Sequence, residues 1–403
     1  MTAFASLDLA RARAGLRALS LAGRQLLPIV QGGMGVGVSA HRLAGAVAAQ
    51  GGVGTISSVD LRRHHPDLMA RSEGLPENET KKAVIQAANQ EALAREIQAA
   101  REIAKGAGLV AVNVMRAVSD YAASIKTALE NGIDAVVVGA GLPLDLPGLA
   151  KEHPKTALIP ILSDARGVAL VLKKWERQQR LPDAIVIEHP GHAAGHLGAA
   201  KIADVNDARF EFETVLPAVR QLLRDAGVEG QVPLIAAGGI RRCEDIQRVQ
   251  ALGADAAQLG TAFVATDECD ADIEFKRVLA GAREEDLVEI TSVAGLPARA
   301  VLTPWLKKYL GAEARLQAVA QVKSRCTLAF DCLQQCGLRD GMKGWGQFCI
   351  DQRLAAALRG DTRGGLFFRG RGGMPFGEHI TSVRQLMERL LTPGIALGTA
   401  PGV

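Results

Sequence analysis

The stretch "PLIAAGGIRRCEDIQRVQALGADAAQLGTAF", Pro233–Phe263, decides the fold. An apolar run, Pro233–Ala236, leads into Gly238 and Gly239. A helical segment follows and closes on Gly253, and a second apolar run, Ala256–Gln258, leads into Gly260 and Thr261. Neither run alternates polar with apolar residues, which is how a strand reads when both faces of its sheet are covered. Strand, glycine turn, helix, strand, glycine turn is the unit of a parallel sheet, because parallel neighbours need a crossover between them.

The same unit recurs upstream. Apolar runs stand at Pro28–Gln31, Val53–Ile56, Leu109–Val114, Ala135–Val138, Ala157–Ile161 and Ala184–Ile187. Helical segments lie between several of them: one with Ser39 as N-cap, one opening at Ser119, one at Asp164, and one, "FEFETVLPAVRQLLRDAG", whose Pro217 belongs in the first turns or kinks it. Eight strands with intervening helices predict the α/β class and a (β/α)8 barrel, the TIM barrel; an open doubly wound sheet is the alternative. Glycine-rich loops after several different strands favour the barrel, which gathers them at one face.

Two segments break the rhythm. Residues 60–82 read as a long polar loop, a candidate lid or binding segment. From about residue 266 the alternation stops, so the expected division is a barrel with an N-terminal extension over 1–265. A smaller, mainly helical domain over 266–403 then carries a cysteine-bearing segment and a return to the barrel.

Composition excludes several classes. The chain has 403 residues, 48% hydrophobic and 22% charged, the balance of a globular protein. A formal net charge of +4 and 4% aromatic residues give neither the field nor the stacking platforms for nucleic acid. No apolar run approaches the ~20 residues of a membrane helix. The N-terminal segment, with Arg11, Arg13, Arg17 and Arg24, lacks the apolar core of a secretory signal, so the expected location is the cytoplasm.

Four stretches carry chemistry. The loops after the seventh and eighth strands place Gly238, Gly239, Gly260 and Thr261 where barrels present backbone N–H groups to a phosphate. "PIVQGGMGVG", Pro28–Gly37, runs a strand into Gly32, Gly33 and Met34; the glycines admit close backbone approach to a planar ligand, and the thioether can cover an aromatic face. "VAVNVMR" puts Asn113 at the C-terminal end of a strand, where an amide can read the edge of a heterocycle. "EHPGHAAGHLG", Glu188–Gly198, holds His189, His192 and His196. No acidic residue completes an H-E-x-x-H pattern, so no metal is expected there. Gly195 and Gly198 bracket His196, whose imidazole suits proton transfer, while His189 and His192 read as loop or surface histidines.

Taken together, "PIVQGGM", "LAGAVAAQGGVGTIS", "VNVM", "AAGHLG", "IAAGGI" and "QLGTAF" resemble, in order and over about residues 27–300, one family of FMN-dependent barrels. It includes nitronate monooxygenase (2-nitropropane dioxygenase) and the flavin-dependent enoyl-acyl-carrier-protein reductase. The resemblance implies FMN as cofactor. It implies Gly33, Met34 and Asn113 near the flavin ring, Gly238, Gly239, Gly260 and Thr261 at the phosphate, and Gln258 touching the cofactor. His196 takes the place of the family's catalytic histidine. His192 stands where the family's E-A-G-G-H-x-G has Glu, or one residue before it, a departure at the substrate side.

The expected activity is oxidation of alkyl nitronates with dioxygen to a carbonyl compound and nitrite. The alternative is NAD(P)H-dependent reduction of an enoyl thioester or quinone. Either way the partner is a small molecule, with dioxygen or NAD(P)H; the oligomeric state is not legible. The chain has no G-x-G-x-x-G after its first strand, so a nicotinamide must dock without a Rossmann domain.

One pattern stays outside that reading. Cys326, Cys332, Cys336 and Cys349 follow the spacing C-x5-C-x3-C-x12-C. Four thiolates can hold zinc or an iron–sulfur cluster, and four packed thiols are the alternative.

Overall fold

The computed structural model describes residues 3–323, 326 and 330–400. In the cysteine-bearing segment, Thr327, Leu328 and Ala329 lie outside the described residues.

Eight parallel strands close into a barrel: β1 (Ile29–Gln31), β2 (Val53–Ser57), β3 (Leu109–Met115), β4 (Ala135–Gly139), β5 (Ala157–Leu162), β6 (Ile185–Glu188), β7 (Leu234–Ala237) and β8 (Ala256–Leu259). Closure is made by β8 on β1, with Gln258 opposite Val30. The β1–β2 seam has a single register pair, Val30 with Val53. There the buried Gln31 carboxamide substitutes for ladder bonds: its oxygen accepts from Thr55 N at 2.8 Å and its nitrogen donates to Thr55 O at 3.1 Å.

Alternate strand residues fill the barrel. Val53, Leu109, Ala111, Ala135, Val137, Ala157, Ile159, Val186 and Ile235 form one interior core, closed at the bottom by Leu19, Leu21 and Leu26 of an N-terminal hairpin. A strand has a period of two. Continuing that parity upward from Leu109 and Ala111 brings Asn113 to the barrel mouth. From Ala184 and Val186 it brings Glu188, and from Ala256 it brings Gln258.

The outer helices depart from expectation at their starts. Asp164 caps its helix as predicted, accepting from Gly167 N at 2.8 Å. Ser39 does not cap His41–Ala49; its hydroxyl accepts from Met34 N at 2.9 Å and shapes the β1 turn instead. The distant carboxylate of Asp270 receives the N–H groups of Ala40 and Leu43, supplying the cap from another part of the chain. Ser119 likewise makes no cap; the N-cap position of Tyr121–Glu130 is Asp120. Pro217 lies inside Phe212–Asp225.

Residues 60–82 are not one long loop. They form short helices at Leu61–His64 and Pro66–Ala70, then the start of a 26-residue helix, Glu79–Ala104, capped by Asn78. Arg63 bridges Asp60 to Asp351, fastening this region to the C-terminal part of the chain.

Beyond residue 265 the chain combines helices with a hairpin, β9 (Leu287–Thr291) and β10 (Pro297–Val301). β10 also pairs with Gly195–His196, so the histidine loop is the third strand of a small antiparallel sheet. Only a four-residue helix, Thr261–Val264, follows β8. The C-terminal helix Val383–Leu390 packs against both the helix after β7 and the helix after β1, where an eighth outer helix belongs. Among the described residues no helix is long and apolar enough to cross a membrane.

Candidate functional site

A cavity of about 290 Å³ opens at the C-terminal ends of the barrel strands. Every residue singled out from sequence for the catalytic or cofactor site lines it: Gly32, Gly33 and Met34 from the β1 turn, Asn113 from β3, and Gly195 and His196 from the histidine loop. Gly238 and Gly239 follow β7; Gln258, Gly260 and Thr261 end β8.

The glycines of the β1 turn also leave room for their neighbours. A Cβ on Gly33 would stand 2.4 Å from Asn113 Cβ, and one on Gly32 would stand 3.2 Å from Gln258 Nε2. They make room for two carboxamide side chains at the cavity wall. Among the described residues neither carboxamide has a protein hydrogen-bond partner, so both keep donor and acceptor groups for an occupant.

A second part of the lining is built for an anion. Gly238 and Gly239 turn with φ of +107° and +74°, and Gly260 stands at the N-terminus of Thr261–Val264. Among the described residues no protein acceptor takes the N–H groups of Gly239, Ile240, Gly260 and Thr261. Arg241, on the same wall, donates from Nε to Gly239 O at 3.2 Å; among the described residues its guanidinium forms no ion pair. The segment Gly370–Gly372 covers this part: Gly370 N donates to Thr261 Oγ1 at 3.1 Å and Arg371 N to His192 O at 3.2 Å.

His196 faces the cavity with Nε2 3.1 Å from Ser292 Oγ. Removal from bulk water pushes its pKa down to about 4, so the ring is neutral at pH 7 and can accept a proton. Glu188 lines the same cavity, and burial raises its carboxyl to about 7. One ring is held ready as a base, and one carboxyl keeps its proton near neutrality.

The other two histidines are not at the surface. His189 is 3% exposed, with Nδ1 accepting from Gly191 N at 3.0 Å and Nε2 3.2 Å from Glu211. His192 lines the cavity and packs on the Gly238–Gly239 turn; a Cβ on Gly239 would meet its ring at 3.1 Å. Burial, then the neighbouring His189 and Arg241, lower its pKa to about 4. The loop is clamped from β10: buried Arg299 donates to the carbonyls of Ala193 and Pro190 and pairs with Glu289 at 2.7 Å.

Glu188, Arg241 and Gly370–Gly372 were not singled out from sequence. Strand parity points to Glu188, and Arg241 directly follows the "AGGI" turn. Nothing local marks Gly370–Gly372, which lie more than 100 residues from the turn they cover.

Residues 22–393 match the family model described as nitronate monooxygenase. A "Probable nitronate monooxygenase" of Bacillus subtilis is 27% identical over 290 residues, 70% of this chain and 78% of that relative. A "Nitronate monooxygenase" of Paraburkholderia phytofirmans is 39% identical over 133 residues, 33% of each. A further relative, from Staphylococcus saprophyticus, is 26% identical over 187 residues; the match spans 46% of this chain and 48% of that relative, about half its length. Among solved structures, FabK from Thermotoga maritima superposes with a TM-score of 0.60 at 22% identity, covering 90% of this chain and 91% of its own. Nitroalkane oxidase from Streptomyces ansochromogenes superposes with a TM-score of 0.61 at 22% identity, covering 94% and 96%. These two have the same fold.

Proposed function

The chain belongs to the nitronate monooxygenase family, and from that premise we propose that it is an FMN-dependent enzyme oxidising alkyl nitronates with dioxygen to a carbonyl compound and nitrite. The observation that carries the reading is the presence of two free donor sets in one cavity. Among the described residues, uncommitted backbone N–H groups beside Arg241 form one set, and the unpartnered carboxamides of Asn113 and Gln258 the other. The two sets fit a phosphate joined to a heterocycle.

When bound, FMN would supply reversible electron storage between the organic substrate and dioxygen. The protein's own residues do the rest. Gly239, Gly260, Thr261 and Arg241 hold the phosphate. Asn113 and Gln258 orient the ring system, and Met34 lies beside Gly260, where a Cβ would meet its sulfur at 3.6 Å. His196, neutral and anchored by Ser292, takes the α-proton of a nitroalkane or accepts a hydrogen bond at the substrate. The β10 pairing and the Arg299 clamp fix the histidine loop, so the ring need not be ordered at each turnover.

Glu188 favours a second reading, NAD(P)H-dependent reduction of an enoyl thioester or quinone, because such a reduction needs a proton donor and a carboxyl with a pKa of about 7 is one. Anaerobic mixing of the purified yellow protein with an alkyl nitronate, NADH or NADPH, each alone, separates the two. Bleaching by the nitronate, with nitrite released on admitting air, supports the first. Bleaching only by a nicotinamide rejects it in favour of the second.

A further inference from the structure

The four cysteines left over by the flavin reading meet in space. Cys326, Cys332, Cys336 and Cys349 line one small cavity, with Lys323, Leu338, Arg339 and Ile350 completing its walls. They come from three places in the chain: the segment before Gly337–Asp340, the N-cap of that short helix, and the N-cap of Ile350–Leu358. The other two cysteines, Cys243 and Cys269, lie apart in the barrel, wholly buried. Convergence of four thiols across 24 residues, with the remaining two elsewhere, is not what dispersed packing cysteines give.

The surroundings match an anionic metal–thiolate group. Lys323 and Arg339 both border the cavity, and Arg339 interacts electrostatically with Cys336. Arg339 is in turn fixed by Asp331 and Asp340 and by the carbonyls of Leu333 and Gln334. The nearby acid, Asp351, is already paired with Arg63. Asp351 and the other three cysteines all stand close enough to Cys332 to act on it electrostatically. All four cysteines are half-buried, and thiolates this close together repel one another unless a cation lies among them.

The spacing of the thiols tells against a single ion. Zinc needs four sulfurs about 2.3 Å from a single point. Among the described residues no three His, Cys, Asp or Glu side chains could hold a single metal ion; the four thiols ring a small cavity instead. We propose that Cys326, Cys332, Cys336 and Cys349 ligate a [4Fe–4S] cluster, each giving up its thiol proton and binding one iron. Cys332 and Ile350 belong to the walls of both this cavity and the large one, so the cluster is a one-electron centre adjoining the redox site.

The test uses the full chain, purified anaerobically, with iron, zinc and acid-labile sulfide measured per chain. The proposal expects about four irons and four sulfides, and a low-temperature EPR signal after dithionite reduction. Cys336→Ser combined with Cys349→Ser should drop iron below about one per chain, while Cys269→Ser keeps it. Less than about half an iron per chain, even after reconstitution with ferrous iron and sulfide, overturns the proposal; so does about one zinc without sulfide. Full iron in the folded double variant overturns the ligand assignment, and if that variant does not fold, the wild-type metal and sulfide content decides alone. FMN content is read separately, so loss of the flavin reading leaves this result standing.

Discussion

Ser292 holds His196 at Nε2 across 3.1 Å, although the two residues are 96 apart in sequence. Ser292 is wholly buried just after β9, and its hydroxyl also accepts from Ala294 N at 3.2 Å. The hydroxyl's second lone pair can take Nε2–H, the tautomer that leaves Nδ1 bare to take a proton or accept a hydrogen bond at the substrate. His196→Asn should retain FMN and lose about 10²–10⁴-fold in turnover, the scale of a general acid–base residue. Ser292→Ala should lose less, about tenfold, by freeing the ring rather than removing it. His192→Ala should weaken FMN binding more than it slows turnover, because His192 packs on the phosphate turn. Steady-state kinetics with flavin content measured in parallel checks all three; an intact rate in His196→Asn rejects the assignment.

The two perturbed groups predict a pH profile. His196 loses its basic form only below about 4, so a rate that needs its neutral ring should hold from neutrality down to that pH and then fall. A limb near the ordinary histidine value in kcat/KM, abolished by His196→Asn, would show instead that the ring is solvated.

Glu188 predicts a stability effect with a definite sign. Its folded pKa, about 7, lies above the ordinary 4.5, so the native state binds the extra proton between those values. The associated stability is full below about pH 4.5 and is lost as pH rises through about 7. Glu188→Gln mimics the protonated acid at every pH. Its melting temperature relative to wild type should be higher at pH 8 than at pH 5, and equal differences at both would show Glu188 to be unperturbed.

All eight barrel strands are legible in the sequence because strands buried on both faces are unbroken apolar runs. The site residues at their ends are legible for a related reason: a glycine after such a run marks a βα turn at the catalytic face. The helix Glu79–Ala104 was hidden by its own start, "SEGLPENETKK", whose glycine, proline and charges read as loop although Asn78 is an effective cap. Glu188 was within reach, since Ala184 and Val186 set the parity that aims it inward. The hairpin that fixes His196 was not, because β10 pairs with residues about 100 positions away and its own sequence, "PARAV", names no partner.

The phosphate site predicts graded losses of cofactor. Gly239→Asp places a carboxylate against the anion, in a left-handed turn at φ +74° whose Cβ would press the His192 ring, and should abolish FMN binding. Arg241→Gln keeps the turn and removes the cation. It should weaken binding by about 10–100-fold, the loss of one hydrogen bond to a charged group. Fluorescence titration of the deflavinated protein measures both. Unchanged affinity in Arg241→Gln would remove that residue from the phosphate site.

The clamp on the histidine loop supplies the last prediction. Arg299 is 1% exposed and satisfies two carbonyls of the loop, at Ala193 and Pro190, while its charge is met by Glu289. Replacing it by Met keeps much of the volume but strands both carbonyls. Glu289 retains a second partner, Arg371, at 3.0 Å, so the cost should sit near the lower end of the ~3–5 kcal/mol seen when one member of a buried pair is removed. The site should suffer beyond that cost, because the loop that carries His196 would lose its only buried cation among the described residues and keep the pairing with β10, the Arg371–His192 bond and the Ser292 contact. Arg299→Met should therefore unfold at lower urea and, where still folded, turn over more slowly with FMN content near that of wild type. Urea melts together with flavin-normalised rates check it. A variant that is destabilised but fully active per flavin would show that the clamp serves the fold alone.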